Sequence, residues 1–377
     1  MRLVRSLRLP LVALLAAIAV NAGSAESADD AHWEYRMASV EGVYQPLVGD
    51  FAGDQGDDIL WYAPGEGVDV LWIADAGARG SDSFTRVRFS VDGDYRPVVG
   101  DFVGDDYDDI LWYRPGTTPD PIWASVPTDA VFERLDRMTV DGDYRPEVLR
   151  DYRDGAHKDR IVWQRTSKGH DAVWYFDGDG FGGHRSGRLE IRTDVAVRAG
   201  DWDGDHVDDL LLYGPGTVDD GLWLSGSEDG FTEHPLEING EYQPVTIIGA
   251  ERDGVFLFGP GAAADRYLRS EGSSFTSAPV DSFPTGGVAH GADARGFAFV
   301  HSTTPGTRED GFVVEAGTPS AGDSAGRRFK LSESHDIGAG IRPVTGDFDA
   351  DGVVDILWYG AGDRPDELWY AQSLDLT

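Results

Sequence analysis

The sequence contains no cysteine, so no disulfide can staple the fold and no lipid-attachment cysteine of the bacterial lipoprotein type exists. Lysine is almost missing as well: Lys158, Lys168 and Lys330 are the only three among 32 basic residues, a bias that fits either genomic composition or salt adaptation. Positive charge as a whole is outweighed by 67 acidic residues, for a net charge of -35. That balance argues against nucleic acid and anionic membrane as partners. Long apolar runs are limited to residues 9–20, too short to span a bilayer. No later segment shows a sustained helical period, which excludes helical solenoids. Catalytic signatures are scarce too. The nine histidines form no His-Glu-x-x-His pattern, and the Gly-x-Ser-x-Gly match at Gly322-Asp-Ser324-Ala-Gly326 precedes a strand at 327–331 where a nucleophile elbow needs a helix.

The one apolar run belongs to an expected export signal covering residues 1–25. Arg2, Arg5 and Arg8 make a basic start, and Gly23-Ser24-Ala25 offers small residues for cleavage. Removing three basic residues from a chain of charge -35 leaves a mature form at -38. The expected product is a secreted protein, residues 26–377, without membrane insertion after cleavage.

What the sequence has in abundance is repetition. Apolar anchors begin at Ile59, Ile110, Ile161, Leu210, Val255, Phe297 and Ile356, at spacings of 51, 51, 49, 45, 42 and 59 residues. A period of that size marks stacked supersecondary units. Each unit reads as four short strands; in the second they are expected at 97–100, 110–113, 121–125 and 132–140, separated by Gly, Asp and Pro clusters. The second strand, Ile110-Leu-Trp-Tyr113, is apolar on both faces, as sheets packed face to face around an axis require. After the last anchor only one further strand, 367–372, is expected. The missing strand is found at the start, where 33–46 aligns with 84–97 without a gap. The expectation is an all-β, seven-bladed β-propeller of four-stranded blades, closed by the N-terminal strand completing the last blade.

Between first and second strands lie acidic loops. In the last repeat Asp347, Asp349, Asp351 and Asp355 occupy loop positions 1, 3, 5 and 9, with Gly352 at 6 and the Val353 carbonyl at 7. Hard Ca²⁺ takes six to eight oxygens, and this spacing supplies them. The fourth repeat offers Asp201, Asp203, Asp205 and Asp209 with the Val207 carbonyl, and His206 where glycine would ease the turn. Repeats one and two keep only positions 1, 5 and 9, as Asp50, Asp54, Asp58 and Asp101, Asp105, Asp109, with Ala52 and Val103 at position 3. In the third, Asp151 and Asp159 are read as survivors of positions 1 and 9, and the Arg153 guanidinium as a replacement for the metal. Repeats five and six have lost the loop. Calcium is thus expected at two complete loops and two partial ones.

The run from Tyr95 through Asp101, Asp105 and Asp109 to Gly116, ending Ile-Leu-Trp-Tyr-Arg-Pro-Gly, resembles the FG-GAP or VCBS repeat found in integrin α-subunit propellers and in secreted bacterial proteins. The resemblance covers essentially the whole mature chain and implies structural calcium loops with ligands bound elsewhere. It supports a non-catalytic binding or adhesion module for an extracellular glycan or protein, a lectin being one form. An expected binding surface is the opposite loop face, with Tyr44-Gln45, Tyr95-Arg96, Tyr144-Arg145, Tyr242-Gln243 and Ile341-Arg342; the same Tyr-x-Pro residues can instead pack the blade entrances. Nine of the eleven tryptophans fall on second or third strands, where packing between blades is the expected role. A polysaccharide lyase or glycosidase using carboxylates in the axial depression, and a purely structural secreted protein, are the alternatives.

Overall fold

The computed structural model describes residues 33–371 except for 80–82, 127–130, 136–137, 154–156, 168, 177–182, 227–229, 250, 262, 281–286, 292–296, 303–310, 315–326, 331–339 and 365. The expected export signal and the Ser324 motif lie outside these residues.

Its strands follow the repeats. After β1 (Trp33–Ala38), the first repeat supplies β2 (Gln45–Gly49), β3 (Asp58–Tyr62), β4 (Asp69–Ala74) and β5 (Phe84–Phe89). The second supplies β6 (Arg96–Gly100), β7 (Asp109–Tyr113), β8 (Ile122–Val126) and β9 (Val131–Arg134), the last much shorter than expected. The third and fourth are β10 (Tyr144–Leu149), β11 (Arg160–Arg165), β12 (Asp171–Phe176), β13 (His184–Leu189), then β14 (Ala196–Gly200), β15 (Asp209–Tyr213), β16 (Asp220–Ser225) and β17 (Phe231–Leu236). The fifth holds β18 (Gln243–Ile247), β19 (Gly254–Phe258), β20 (Arg266–Ser270) and β21 (Phe275–Pro279). The chain continues with β22 (Gly287–Gly291), β23 (Phe297–Ser302), β24 (Gly311–Val314) and β25 (Arg327–Lys330), and ends with β26 (Ile341–Gly346), β27 (Asp355–Gly360) and β28 (Asp366–Ala371).

Each run of four pairs into one antiparallel sheet, and β1 completes the sheet of β26–β28 by pairing Trp33 with Ala371 through Ala38 with Asp366. The count of seven equivalent blades is corrected by the packing. Six blades are described with packed side chains: β2–β5, β6–β9, β10–β13, β14–β17, β18–β21 and β26–β28 with β1. The backbone of β22–β25 also forms a four-stranded sheet, but of its side chains only Val288, Ala289 and His290 are described. Six apolar clusters are correspondingly described, running from the junction of the last and first blades to the fifth blade, where Ala289 of β22 joins. The sixth repeat is where the sequence motif has decayed most, and no blade core rests on it among the described residues.

The second strands carry those cores, since all five residues of β3, β7, β15 and β19 are buried. Aromatic pairs lock neighbouring blades: Tyr359 lies 5.0 Å from Trp61, Tyr62 lies 5.0 Å from Trp112, and Tyr113 lies 5.1 Å from Trp163. Such pairs contribute about 0.5–1.5 kcal/mol each beyond area burial. In five blades an aspartate at or just before the third strand braces the blade. Asp69 accepts the N–H groups of Ala63 and Val91, and Asp120, Asp171, Asp220 and Asp366 repeat the contact.

Candidate metal loops and axial channel

The acidic loops share one backbone path. The position 1 carboxylate folds the loop around itself: Asp201 Oδ1 accepts the N–H of Gly204 at 2.7 Å and Oδ2 that of His206 at 3.0 Å. Asp50 and Asp101 accept the equivalent N–H groups, and Asp347 takes those of Asp351 and Gly352. The path needs positive φ at position 6, where Gln55, Asp106 and His206 sit at 77°, 70° and 69° and Gly352 at 85°. Only glycine adopts that region without strain, so three of the four loops hold a strained residue there.

The loops differ in what they gather. Oxygens of Asp347, Asp349 and Asp351 lie within 4.8 Å of one another, as do those of Asp201, Asp203 and Asp209. Asp205 adjoins the second group through Asp203, which accepts its N–H at 3.2 Å, and itself accepts the Val207 N–H at 3.0 Å. In the second repeat Asp101 is grouped with Asp106 and His157 instead of the expected Asp105 and Asp109. Asp50, Asp54 and Asp58 form no such group among the described residues.

Position 9 has a different employment from the other carboxylates. Asp58, Asp109, Asp209 and Asp355 are buried, each with one oxygen on a loop N–H and the other on an N–H of the third strand (Ala74, Ser125, Ser225 and Ala371). Burial pushes each of these carboxyls up to about 8. The donors in the fourth and last loops are all oxygen, which is the chemistry of a hard divalent cation.

Cations supplied by the chain itself reach some of these loops. Arg79, from the loop between β4 and β5, donates Nε to Asp349 and NH2 to Asp351 (2.8 Å), across the junction of first and last blades. In the third repeat Arg153 forks onto Asp151, NH2 to Oδ2 at 2.7 Å, and Arg160 adds a second guanidinium at 3.3 Å. Burial raises the Asp151 carboxyl, but the Arg153 hydrogen bond and the Arg160 charge outweigh it and hold the group below its usual range.

The assignment of Asp151 and Asp159 to positions 1 and 9 is corrected by the register. Leu149 faces Arg160 as Gly100 faces Asp109, so Arg150 stands at position 1 and Arg160 at position 9. Two added residues in this loop shifted the alignment. Asp159 is the position 8 residue, and that position carries a function the spacing did not reveal. Asp57, Asp108, Asp159, Asp208 and Asp253 each accept, through Oδ2, the N–H of the position 1 residue in the preceding blade, at 2.7–3.0 Å. These five carboxylates lace successive blades. His157 bridges Asp159 (2.9 Å) and Asp101 (3.3 Å), and Arg150 bridges Asp208 (3.0 Å) and Asp253 (2.9 Å).

Inside the inner strands runs an axial channel of about 1010 Å³. Four of the carboxylates, Asp57, Asp108, Asp159 and Asp208, line it together with Glu147 and Arg198. Glu147 accepts the Ala199 N–H at 3.0 Å, and its carboxyl is pushed up to about 7 by burial, with Arg198 pulling the other way.

On the opposite loop face the tyrosines pack the turns. Tyr62, Tyr113, Tyr213 and Tyr359 each donate to a glycine carbonyl (Gly93, Gly142, Gly240, Gly42) and accept the N–H of the crossing tyrosine (Tyr95, Tyr144, Tyr242, Tyr44). The crossing rings lie edge-on to Trp61, Trp112 and Trp163. Arg96 and Arg342 pair with Asp143 and the Tyr44 carbonyl.

No family model matches the sequence, and no curated protein matches it. Solved structures do match. A lectin of Agrocybe aegerita, described for specific recognition of non-reducing terminal N-acetylglucosamine, aligns at TM-score 0.49 and 13% identity over 89% of this chain and 82% of that one. The N-terminal domain of Chaetomium thermophilum Nup170, in complex with Nup53, aligns at TM-score 0.50 and 10% identity over 93% of this chain. This chain spans 63% of that one, less than two thirds. At such identities the likeness is one of fold.

Proposed function

We propose that the chain is a secreted β-propeller of the FG-GAP/VCBS kind, stabilised by Ca²⁺ in its fourth and last loops and serving as a binding or adhesion module for carbohydrate or a surface protein. The observation that carries the calcium part is the gathering of carboxylate oxygens within 4.8 Å in those two loops. The fit is one of donor chemistry: three aspartates per loop, on a backbone already wound around Asp201 or Asp347, suit a hard cation. Bound there, calcium would supply charge neutralisation. Asp201, Asp203 and Asp209, or Asp347, Asp349 and Asp351, would hold it, the position 1 aspartate also keeping the loop wound. Support for a binding role comes from the channel, where Glu147 and Arg198 stand in addition to the carboxylates that lace the blades.

The test is calcium titration by calorimetry, thermal melting with calcium or chelator, and retention on immobilised glycans and surface proteins. Two bound ions, a higher melting temperature with calcium, and selective retention are expected. An unchanged melting temperature with no heat of binding would remove calcium; retention of nothing would remove the binding role.

A further inference from the structure

The inner strands of the propeller are not equivalent around the axis. Leu47, Val98, Val245 and Val344 occupy one register position, facing Leu60, Leu111, Phe256 and Leu357 of the second strands, and all four are buried. At that same position the third and fourth blades carry Glu147, facing Val162, and Arg198, facing Leu211. Two adjacent blades thus replace an apolar contact with a carboxylate and a guanidinium, both lining the channel.

The substitutions are part of a polar arc. Arg198 Nε donates to the Pro244 carbonyl at 2.9 Å, Thr246 Oγ1 to the Ala199 carbonyl at 2.7 Å, and Gln243 Oε1 accepts the Ala289 N–H at 3.2 Å. From β10 to β22 the wall is carboxylate, guanidinium, hydroxyl and amide. Across the channel, the first two blades present Val48, Gly49, Val99 and Gly100, a strip of small apolar residues beside the lacing Asp57 and Asp108. Structure alone does not call for this arc, because four other blades are held at the same register by Leu or Val. Glu147 and Arg198 are each tied to backbone, on the Ala199 N–H and the Pro244 carbonyl, and a charged side chain set in a register that Leu or Val fills elsewhere needs a reason other than stability.

We propose that the axial channel is a carbohydrate subsite, taking the end of a neutral oligosaccharide with its hydroxyl edge on Glu147 and Arg198 and its C–H face on Val48 and Val99. The chemistry fits in three ways. A carboxylate accepts and a guanidinium donates, which together satisfy the paired donor and acceptor character of sugar hydroxyls. With Asp57, Asp108, Asp159 and Asp208 lining the channel as well, against Arg150 and Arg198, the acidic surround disfavours an anionic sugar and leaves a neutral one. A channel of about 1010 Å³ has room for one or two sugar rings and none for a folded protein domain. This inference rests on the binding-module reading and narrows it to carbohydrate.

The decisive variant restores the register of the other blades: Glu147→Val with Arg198→Val. Probes are maltose, cellobiose, lactose and N,N′-diacetylchitobiose, followed by saturation-transfer NMR and calorimetry on the full chain with calcium present. Wild type is expected to engage at least one disaccharide, and the double variant to lose it at least tenfold while keeping the circular-dichroism spectrum and cooperative melting of a folded propeller. A second variant, Glu147→Gln, keeps an acceptor for the Ala199 N–H and should fold as wild type while weakening the same disaccharide. Equal affinity in wild type and both variants overturns the channel site and leaves the binding module standing. Retention of wild type on a protein surface with no response to any disaccharide does the same. If wild type retains nothing at all, the underlying reading falls with it.

Discussion

Arg79→Gln should tighten cation binding in the last loop. In the present arrangement the Arg79 guanidinium bridges Asp349 and Asp351, two of the three carboxylates that would hold the ion. Asp349 is 2% exposed at its side chain and Arg79 25%, so the contact is partly buried and only partly screened by water. Hydrogen bonds to charged partners contribute about 1.5–3 kcal/mol when buried, and exposed ion pairs less than about 1. A cation entering the loop must break this contact and gives back part of its binding energy, on the order of 1–2 kcal/mol. Glutamine keeps a donor but removes the charge, and affinity should rise about five- to thirty-fold. The fourth loop is an internal control, because its nearby Arg252 donates to the Asp203 backbone carbonyl (3.1 Å) and not to a carboxylate. Calorimetric calcium titration of both proteins should therefore move one site and leave the other. Unchanged or weaker last-loop affinity, or an equal shift at both sites, would refute the competition.

Two further outcomes follow from the packing and the buried carboxyls. Tyr113→Phe deletes a hydroxyl that donates to Gly142 and accepts from Tyr144, leaving two backbone groups short of partners at a part-buried turn. A loss of about 1–3 kcal/mol is expected as a lower urea midpoint at constant slope, and an unmoved midpoint would show the hydroxyl to be idle. In chelator, stability should fall as pH rises. Asp209 and Asp355 have folded values raised from 3.8 to about 8 by burial, so the folded state binds more protons than the unfolded one between those limits. Their stabilising contribution is fully present below the unfolded value and lost as pH rises through the folded one, at up to about 1.4 kcal/mol per unit and group. Melting in chelator at pH 5 and pH 8, with calcium restoring stability at pH 8, checks the sign; melting that rises with pH in chelator contradicts it.

Much of the fold was legible because its signals are local. Continuous apolar runs such as Ile110–Tyr113 mark strands buried on both faces, and the alignment of 33–46 with 84–97 points to the strand that β1 contributes to the last sheet. Blade count was less legible, since the sixth repeat keeps an apolar anchor at Phe297 while its acidic loop is gone and its spacing drifts to 42 and 59 residues. Within the loops, the aspartates at 1, 3 and 5 of the last repeat were readable from spacing alone. The division of labour between Asp208 and Asp209 was not: adjacent identical side chains on a strand point oppositely, one to the preceding blade and one to its own third strand. His157 and Arg79 were hidden for a related reason. Each acts on a loop of another repeat, 56 and more than 250 residues away in sequence, and no periodicity encodes a contact between repeats.

The lacing carboxylates also identify the seam most exposed to opening. Five successive junctions are tied by a position 8 aspartate that grips the preceding blade, from Asp57 on Asp347 to Asp253 on Asp201. In the last repeat position 8 is Val354, fully buried and without an acceptor to offer the sixth repeat. That side of the last blade has no position 8 carboxylate, whereas its other side has both the Asp57 contact and the Arg79 bridge. A backbone N–H held by a buried carboxylate exchanges only when the junction opens, so local stability should be lowest where that tie is missing. Hydrogen exchange of the calcium-loaded protein should show β26 and β22 less protected than β2, β6 and β14. Val354→Asp would then add an acceptor at the seam and slow exchange in β22, provided the new carboxylate finds an N–H; uniform protection across all inner strands in the wild type would show that the lacing carries no such load.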